Sequence, residues 1–561
     1  MYESQPWLKY YGDVPASIDY PSTTMYEELM QVAEKYPLSI AYDFFNTTAT
    51  YQQFTHEIEQ CARALASLGV GKGDRITISM PTSPQGVICI YAANKLGAVS
   101  SMIHPLSPPK KIAFYLNDSG STYALTLDAF YPAFKEAMGE SDLKILILSR
   151  IPDYLPFPMN FLFGITKGRK IAKVPPDPQV RWWHELMQTA YPEVEKAPTE
   201  SEEVAVIMYS GGTTGTPKGI MLSNKTFVAY SKMAGAWVNL TNEDSILGIL
   251  PLFHGFGLGV CVNTLLMNGG KVVLVPQFSA DVMAKLIKKK RPTYIVGIPT
   301  VYEALSKNKT FLNADLSCLK GAFCGADTLA RTLKERIESS IREKGGDIVI
   351  QEGYGLTEAL TAIMCMPQTE YREGSVGIPF PDMEAKIVET GSTDPVPVGE
   401  EGELCIRGPA VMMGYLNRPE ETADTLKEHS DGKVWLHTGD IISMDEDGFF
   451  YFKLRLKRMI KSSGMNVYPV QVEDVLLQHP EVEQACVVGV PDEAQVERVK
   501  AFIVLKDPSK AGQDMIEELI AHCGEHLIKW SCPREIEFRT ELPMTVIGKI
   551  DFKKLQDESI E

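Results

Sequence analysis

Residues 209–219 read YSGGTTGTPKG, directly after the apolar run VAVIMY at 204–209. A short apolar run ending on small residues predicts a buried strand that feeds a glycine-rich turn. Gly211, Gly212 and Gly215 let the backbone come close to phosphate oxygens, Ser210, Thr213, Thr214 and Thr216 add hydroxyl donors, and Lys218 adds a cation. The P-loop pattern of ordinary nucleotide hydrolases needs glycine directly before the lysine and Ser or Thr directly after it. Here Pro217 precedes Lys218 and Gly219 follows it, which disfavours that class. A phosphate-cradling turn of another kind and a plain surface loop both remain open on these eleven residues alone.

The flanking sequence alternates short apolar runs with helical patterns, the rhythm of sheets covered by helices. His56 to Leu68 has helical spacing and stops at Gly69, RITISM (75–80) reads as a strand, and PQGVICIYAANKLG (84–97) reads as a helix ending on glycine. KVVLV (271–275) and YIVGI (294–298) are further strands, and Asp327 is placed to cap the amphipathic helix that follows it. After about residue 385 the segments shorten and alternate, as in GSTDPVPVGEEGELCIRG (391–408), which predicts an antiparallel β module over about 385–452. The cationic stretch KLRLKRMIKSSG (453–464) marks a boundary. Beyond it VEDVLLQ (472–478) and 514–528 read as helices, and EQACVVGV (483–490) and VKAFIVL (499–505) as strands, forming a small α+β domain.

At roughly 150 residues per domain, 561 residues suggest three or four units. The chain is 44% hydrophobic and 23% charged, the balance of a folded globular protein. Its formal charge of −17 repels polyanions at long range, which argues against nucleic-acid binding. Any nucleotide or other anion must therefore be met by local positive potential. Ten scattered cysteines without a CxxC pair suit reduced thiols and a cytoplasmic setting. The opening MYESQPWLKYYGDVP lacks the form of a secretory signal, and ESIE at the end is not a retention or peroxisomal signal. Ile246 to Met267 lacks Asp, Glu, Lys and Arg, yet Pro251, His254, Asn263 and four glycines interrupt it, so a buried core segment is expected.

Three further blocks carry chemistry. QEGYGLTEA (351–359) places Glu358 beside Thr357 at a strand end, a reasonable hard-cation site. WLHTGD (435–440) is followed by DGFFYFKLRLKRMIKSSG (447–464), and LPMTVIGKID (542–551) carries Lys549 near the C-terminus. With the 209–219 string, these blocks resemble in order the motifs of the adenylate-forming superfamily, which contains acyl-CoA synthetases, peptide-synthetase adenylation domains and luciferases. The resemblance covers nearly the whole chain. It implies a large α/β adenylation body over residues 1–456, containing the β module, and a small mobile α+β lid over 457–561.

By that resemblance ATP is held by Ser210, Gly211, Gly212, Thr213, Thr214, Gly215, Thr216 and Lys218, with Tyr354 near adenine and Thr357 at the α-phosphate. Glu358 binds Mg²⁺, Asp440 holds the ribose hydroxyls, Arg455 reaches ribose or phosphate, Lys457 is the hinge pivot, and Lys549 polarises the carboxylate and α-phosphate. The catalytic set is Lys549, Glu358, Thr214 and Lys457. Two departures stand out: Arg458 replaces the usual acidic residue after the pivot, and Leu454 stands before Arg455 where Gly or Asp is common.

The acyl pocket is implied at PLFHGFG (251–257), with His254 as wall or gate and Gly297, Pro299, Gly325 and TAIM (361–364) completing a neutral, roomy lining. Amino-acid-activating domains usually present an aspartate after a phenylalanine near here, whereas His254 follows Phe253, which disfavours an amino acid. The opening segment and LPFPMNFLFGITKGRKIAKVP (155–175) resemble bacterial long-chain fatty-acid CoA ligases. The expected reaction is ATP-dependent activation of a medium- to long-chain fatty acid to acyl-AMP, then transfer to CoA. The alternative is delivery of the acyl group to a carrier protein's pantetheine arm. Phe157, Phe161, Leu162 and Phe163 beside Lys167, Arg169, Lys170 and Lys173 suit either a packed connecting loop or peripheral contact with the inner membrane face.

Overall fold

The structure is a computed structural model that describes residues 5–166, 168, 171–210, 217–277, 279–325, 329–458, 460–462, 465–467, 469–492, 496–527, 529–545 and 550–560. The chain forms two compact units, one of Met1–Ala385 with Ile406–Leu436, the other of Lys386–Cys405 with His437–Glu561. The boundaries fall inside the strands Glu384–Val388, Glu401–Arg407 and Val434–Met444, so the β module expected over about 385–452 divides between the two.

Among the described residues, two sheets lie wholly within the first unit. In one, five parallel strands lie in the spatial order Val99–Met102, Arg75–Ser79, Tyr123–Leu127, Ile145–Ser149, Val180–Trp182. Val204–Ser210 continues it in parallel beyond Val99–Met102, Lys218–Ser223 pairs antiparallel to that strand, and Gly414–Tyr415 closes the edge. In the other sheet, Ile350–Gly355, Gly321–Cys324, Tyr294–Gly297, Ser245–Gly248 and Lys271–Leu274 run parallel side by side. The sheet-and-helix architecture read from the sequence is therefore present, and its strands are buried on both faces as parallel sheets require.

Local sequence explains most elements. The helix expected from His56 opens at Tyr51, because Thr50 and Gln53 form a reciprocal capping box: each side chain accepts the other's backbone N–H, at 3.2 and 2.9 Å. Phe54, Ile58, Cys61, Ala62 and Leu65 form its buried stripe. Pro84–Lys95 is buried along its whole length, which matches its continuous apolar run. The helix after Cys324 begins at Arg331 with Ala330 at the N-cap. Asp327, expected to cap this helix, lies outside the described residues.

The apolar run 246–267 divides into the strand Ser245–Gly248 and a π-helical segment Phe256–Thr264. Asn263 within it is buried but satisfied, accepting from the Tyr91 hydroxyl at 2.7 Å and donating to Ser231 Oγ at 2.7 Å. Among the described residues no helix is long and apolar enough to cross a membrane. All ten cysteines are free thiols, eight of them buried.

In the second unit, Val482–Asp492 and Val496–Leu505 form a long antiparallel pair, joined by Ile460–Ser462 and by the parallel strand Glu535–Phe538. The helices Pro469–Gln478 and Gln513–His526 bury Val472, Leu476, Leu519 and Cys523 against Val487, Ala501 and Ile503. This is the small α+β domain expected from the tail. Arg458, which departs from the common pattern, meets Glu473 at 2.5 Å and Val487 O at 3.2 Å, so it ties the start of this domain to its first helix.

Candidate active site

The glycine-rich segment lies in sequence between two antiparallel strands: Ser210, the last residue of one, pairs with Lys218, the first of the next. Gly211, Gly212, Thr213, Thr214, Gly215 and Thr216 lie outside the described residues, as does Lys549. The stem is well braced. Tyr209 donates its hydroxyl to Asp118 at 3.0 Å, and Arg418 reaches the same carboxylate at 3.3 Å. Burial, reinforced by the Asp118 charge, pushes the Tyr209 hydroxyl up, so it stays a protonated donor.

Across the stem, the short strand Gly414–Tyr415 pairs with Met221 and Ile220. This register puts the Tyr415 ring under Lys218 Nζ, 4.7 Å from the ring centroid, and lets the Tyr415 hydroxyl donate to Glu358 Oε1 at 3.0 Å. Met412 N also donates to the Glu358 carbonyl at 2.8 Å. Burial and then the Glu358 charge push the Tyr415 hydroxyl up, which keeps it a donor to the carboxylate. Tyr415 and Asp118 were not singled out in the sequence. The only signal for Tyr415 was its place in GYLNRPEE (414–421), about two hundred residues after Lys218.

Thr357 and Glu358 sit on a short 3-10 turn after Ile350–Gly355 and are half-buried, while the ring of Tyr354 is buried. Directly beyond them the backbone makes a γ-turn: Thr361 N donates to Ala359 O at 2.8 Å around Leu360, which has φ 66 and ψ −55. That conformation is costly for a leucine and is held by its surroundings. A Cβ on Gly255 would stand 1.7 Å from Leu360 O, so only glycine lets PLFHGFG approach this turn.

Gly255 belongs to the loop that carries His254, whose half-buried ring accepts from Phe256 N through Nδ1 at 3.2 Å. A Cβ on Gly325 would meet the Phe256 ring at 3.5 Å, and Gly325 N lies 3.4 Å from Gly297 O. Gly297, Gly325 and Tyr354 thus stand at the carboxyl ends of three neighbouring parallel strands, the usual place for ligands in α/β sheets. Lys218, Tyr415, Glu358, the Leu360 turn, Gly255, Phe256, Gly325 and Gly297 form one connected line. It passes from a cation, through a carboxylate, to an apolar wall. Phe253 adds to that wall and packs edge-on against His104, 4.5 Å between centroids. Burial holds His104 below the usual histidine range.

In the second unit Asp440 is fully buried and pairs across the hairpin with Arg455, whose Nε lies 3.0 Å from Asp440 Oδ1. Glu403, unremarked in the sequence, braces the preceding turn: it bonds His437 Nδ1 at 2.9 Å and accepts from Gly439 N at 3.0 Å. Gly439 has φ 70, the conformation that places glycine there. Lys457 lies on the 3-10 turn Leu456–Arg458, and its side chain is outside the described residues.

Comparison with known proteins adds further findings. The family of AMP-binding enzymes matches residues 29–416, and the AMP-binding enzyme C-terminal domain matches residues 471–549. A long-chain-fatty-acid–CoA ligase of Bacillus subtilis (strain 168) is 34% identical, with 100% of this chain and 99% of that protein aligned. Among solved structures, an anthranilate CoA ligase in complex with anthranoyl-AMP superposes with a TM-score of 0.82 at 26% identity, covering 98% of this chain and 99% of the other. The o-succinylbenzoate coenzyme A synthetase of Bacillus subtilis in complex with ATP and magnesium ion superposes with a TM-score of 0.78 at 27% identity, covering 96% and 100%.

Proposed function

Since the chain belongs to the AMP-binding enzyme family, we propose that it is an ATP-dependent long-chain fatty-acid–CoA ligase. A carboxylate oxygen of the fatty acid attacks the α-phosphorus of ATP, giving acyl-AMP and pyrophosphate. The CoA thiolate sulfur then attacks the acyl carbon, the acyl–oxygen bond breaks, and AMP leaves with the bonding pair. The observation that carries this reading is the continuous line from Lys218 through Tyr415 and Glu358 to Gly325 and Gly297, which sets an anion-binding stem beside an apolar wall.

In this reading the 210–216 loop and Lys218 hold the phosphates, Thr357 contacts the α-phosphate and Tyr354 lies by adenine. Asp440 holds the ribose hydroxyls, with Arg455 beside it. The reacting groups are both anionic, so alignment and charge neutralisation are the main catalytic demands. A hard carboxylate oxygen donor at Glu358, positioned by the Tyr415 hydroxyl, fits magnesium, and the ion would supply charge neutralisation between the fatty acid and the triphosphate. Lys549 would add the cation on the adenylation side. Lys457 would be the pivot between an adenylation body of 1–456 and a lid of 457–561 that exchanges Lys549 for the thiol's path. The relatives reported above are CoA ligases and a CoA synthetase by name, which favours CoA over a carrier protein as acceptor.

Contact with a membrane surface belongs to the same proposal. Phe157, Phe161 and Leu162 are 84%, 64% and 48% exposed around the short helix Met159–Ile165, an apolar face suited to collecting a fatty acid at an interface. Loss of liposome sedimentation on replacing Phe161, Leu162 and Phe163 by Ser would support this, and unchanged sedimentation would reject it. Lys167, Arg169 and Lys170 of this segment lie outside the described residues.

The reaction itself is tested by pyrophosphate release over a panel of carboxylic acids, with and without CoA, with products identified by mass. Long-chain acyl-CoA with matching AMP is the expected product. Preference for aryl acids, or pyrophosphate release with thioester formed only on a carrier protein, would contradict the proposal.

A further inference from the structure

We propose that His522 and His526 form a clip for one divalent first-row transition ion, of the Zn²⁺, Ni²⁺ or Cu²⁺ class, on the second unit. The two residues stand four apart in the helix Gln513–His526, so their side chains share one face one turn apart. Their ring centroids are 5.0 Å apart with the planes at 67°. Two imidazoles bound to one ion through nitrogens at about 2.0–2.1 Å put their centroids about 4.5 Å apart at a right angle and about 5.2 Å apart at the tetrahedral angle, so the rings already have the spacing these ions need.

The tautomer of His522 is fixed by its neighbour. Its Nε2 lies 3.0 Å from the carbonyl oxygen of Val475, an acceptor only, so Nε2 carries the proton and Nδ1 keeps a lone pair. A backbone carbonyl on the far nitrogen is the usual support for a metal-binding histidine. His526 is exposed in the last turn, where the helix carbonyls favour a cation. His479 packs its ring 5.3 Å from His522, but its Nε2 engages Glu518 at 3.2 Å and its Nδ1 accepts from Glu481 N at 3.4 Å. His479 therefore walls the clip and does not ligate, and water completes the coordination. Imidazole donors select these ions over Mg²⁺, so the clip is chemically distinct from the Glu358 carboxylate.

The test is a calorimetric titration of tag-free, full-length protein with NiCl2, repeated in 5 mM-scale MgCl2 (about that concentration, ample for a hard-oxygen site), on the wild type and His526→Gln. His526 is exposed at the end of its helix and belongs to none of the residue sets assigned to adenylation, so the variant should fold and keep the ligase activity measured with Mg²⁺ and without nickel. One Ni²⁺ per chain, unaffected by Mg²⁺ and bound at least tenfold more weakly by His526→Gln, is expected. A nickel-induced rise in melting temperature should vanish in the same variant. Absence of stoichiometric binding in the wild type, or equal binding by the variant, would overturn the proposal.

Discussion

Tyr415 serves two charged groups with one side chain, its ring under Lys218 and its hydroxyl on Glu358. Tyr415→Phe keeps the ring and removes the donor. A hydrogen bond to a charged group contributes about 1.5–3 kcal/mol, so adenylation at limiting Mg²⁺ should fall about tenfold or more, with the loss partly recovered at high Mg²⁺. An unchanged Mg²⁺ dependence would remove Tyr415 from the site. Glu358→Gln should lower adenylation by about 10²–10³, the usual effect of deleting one stabiliser, measured as pyrophosphate release. A separate residue sets a pH dependence. Glu57 accepts from the Tyr42 hydroxyl at 2.8 Å, and burial pushes its carboxyl up to about 7. The folded chain therefore holds this proton more tightly than the unfolded one, and stability falls as pH rises from about 4.5 to 7. Glu57→Gln should flatten that part of the curve and stabilise the protein at pH 8 by about 1–3 kcal/mol. Equal melting profiles for the two proteins from pH 5 to 8 would contradict this.

Among the elements, the γ-turn at Leu360 and the loop that carries His254 depend on one glycine. Gly255→Ala would force Leu360 O away from the added Cβ, and with it the turn that follows Glu358. Destabilisation by about 1–3 kcal/mol is expected, together with slower pyrophosphate release, and a variant with wild-type melting and activity would show that the two segments do not depend on close approach. Val204–Ser210 was legible in the sequence because a continuous apolar run marks a strand buried on both faces, and Arg75–Ser79 because its β-branched Ile and Thr residues alternate with period two. The π-helical segment Phe256–Thr264 was not, since its departure from helical hydrogen bonding leaves no trace in an apolar run. Glu358 was legible within its motif, whereas Tyr415 and Glu403 act through strand registers between segments far apart in sequence.

At the scale of the whole molecule, a formal charge of −17 sets a field that repels ATP and CoA, and the reading places their binding on local devices: the 210–218 stem, Glu358 with its cation, Arg455 and Lys549. The length of the chain suggested three or four units, and the structure packs as two, with the β segments of 384–444 contributing strands on both sides of the division. The central claim is that one chain performs two separable half-reactions, with Lys549 needed for the first alone. Lys549→Ala, assayed once for acyl-AMP formation from long-chain fatty acid and ATP and once for thioester formation from supplied acyl-AMP and CoA, tests it directly. Loss of the first half-reaction with the second retained is the expected result, and equal loss of both would contradict the account.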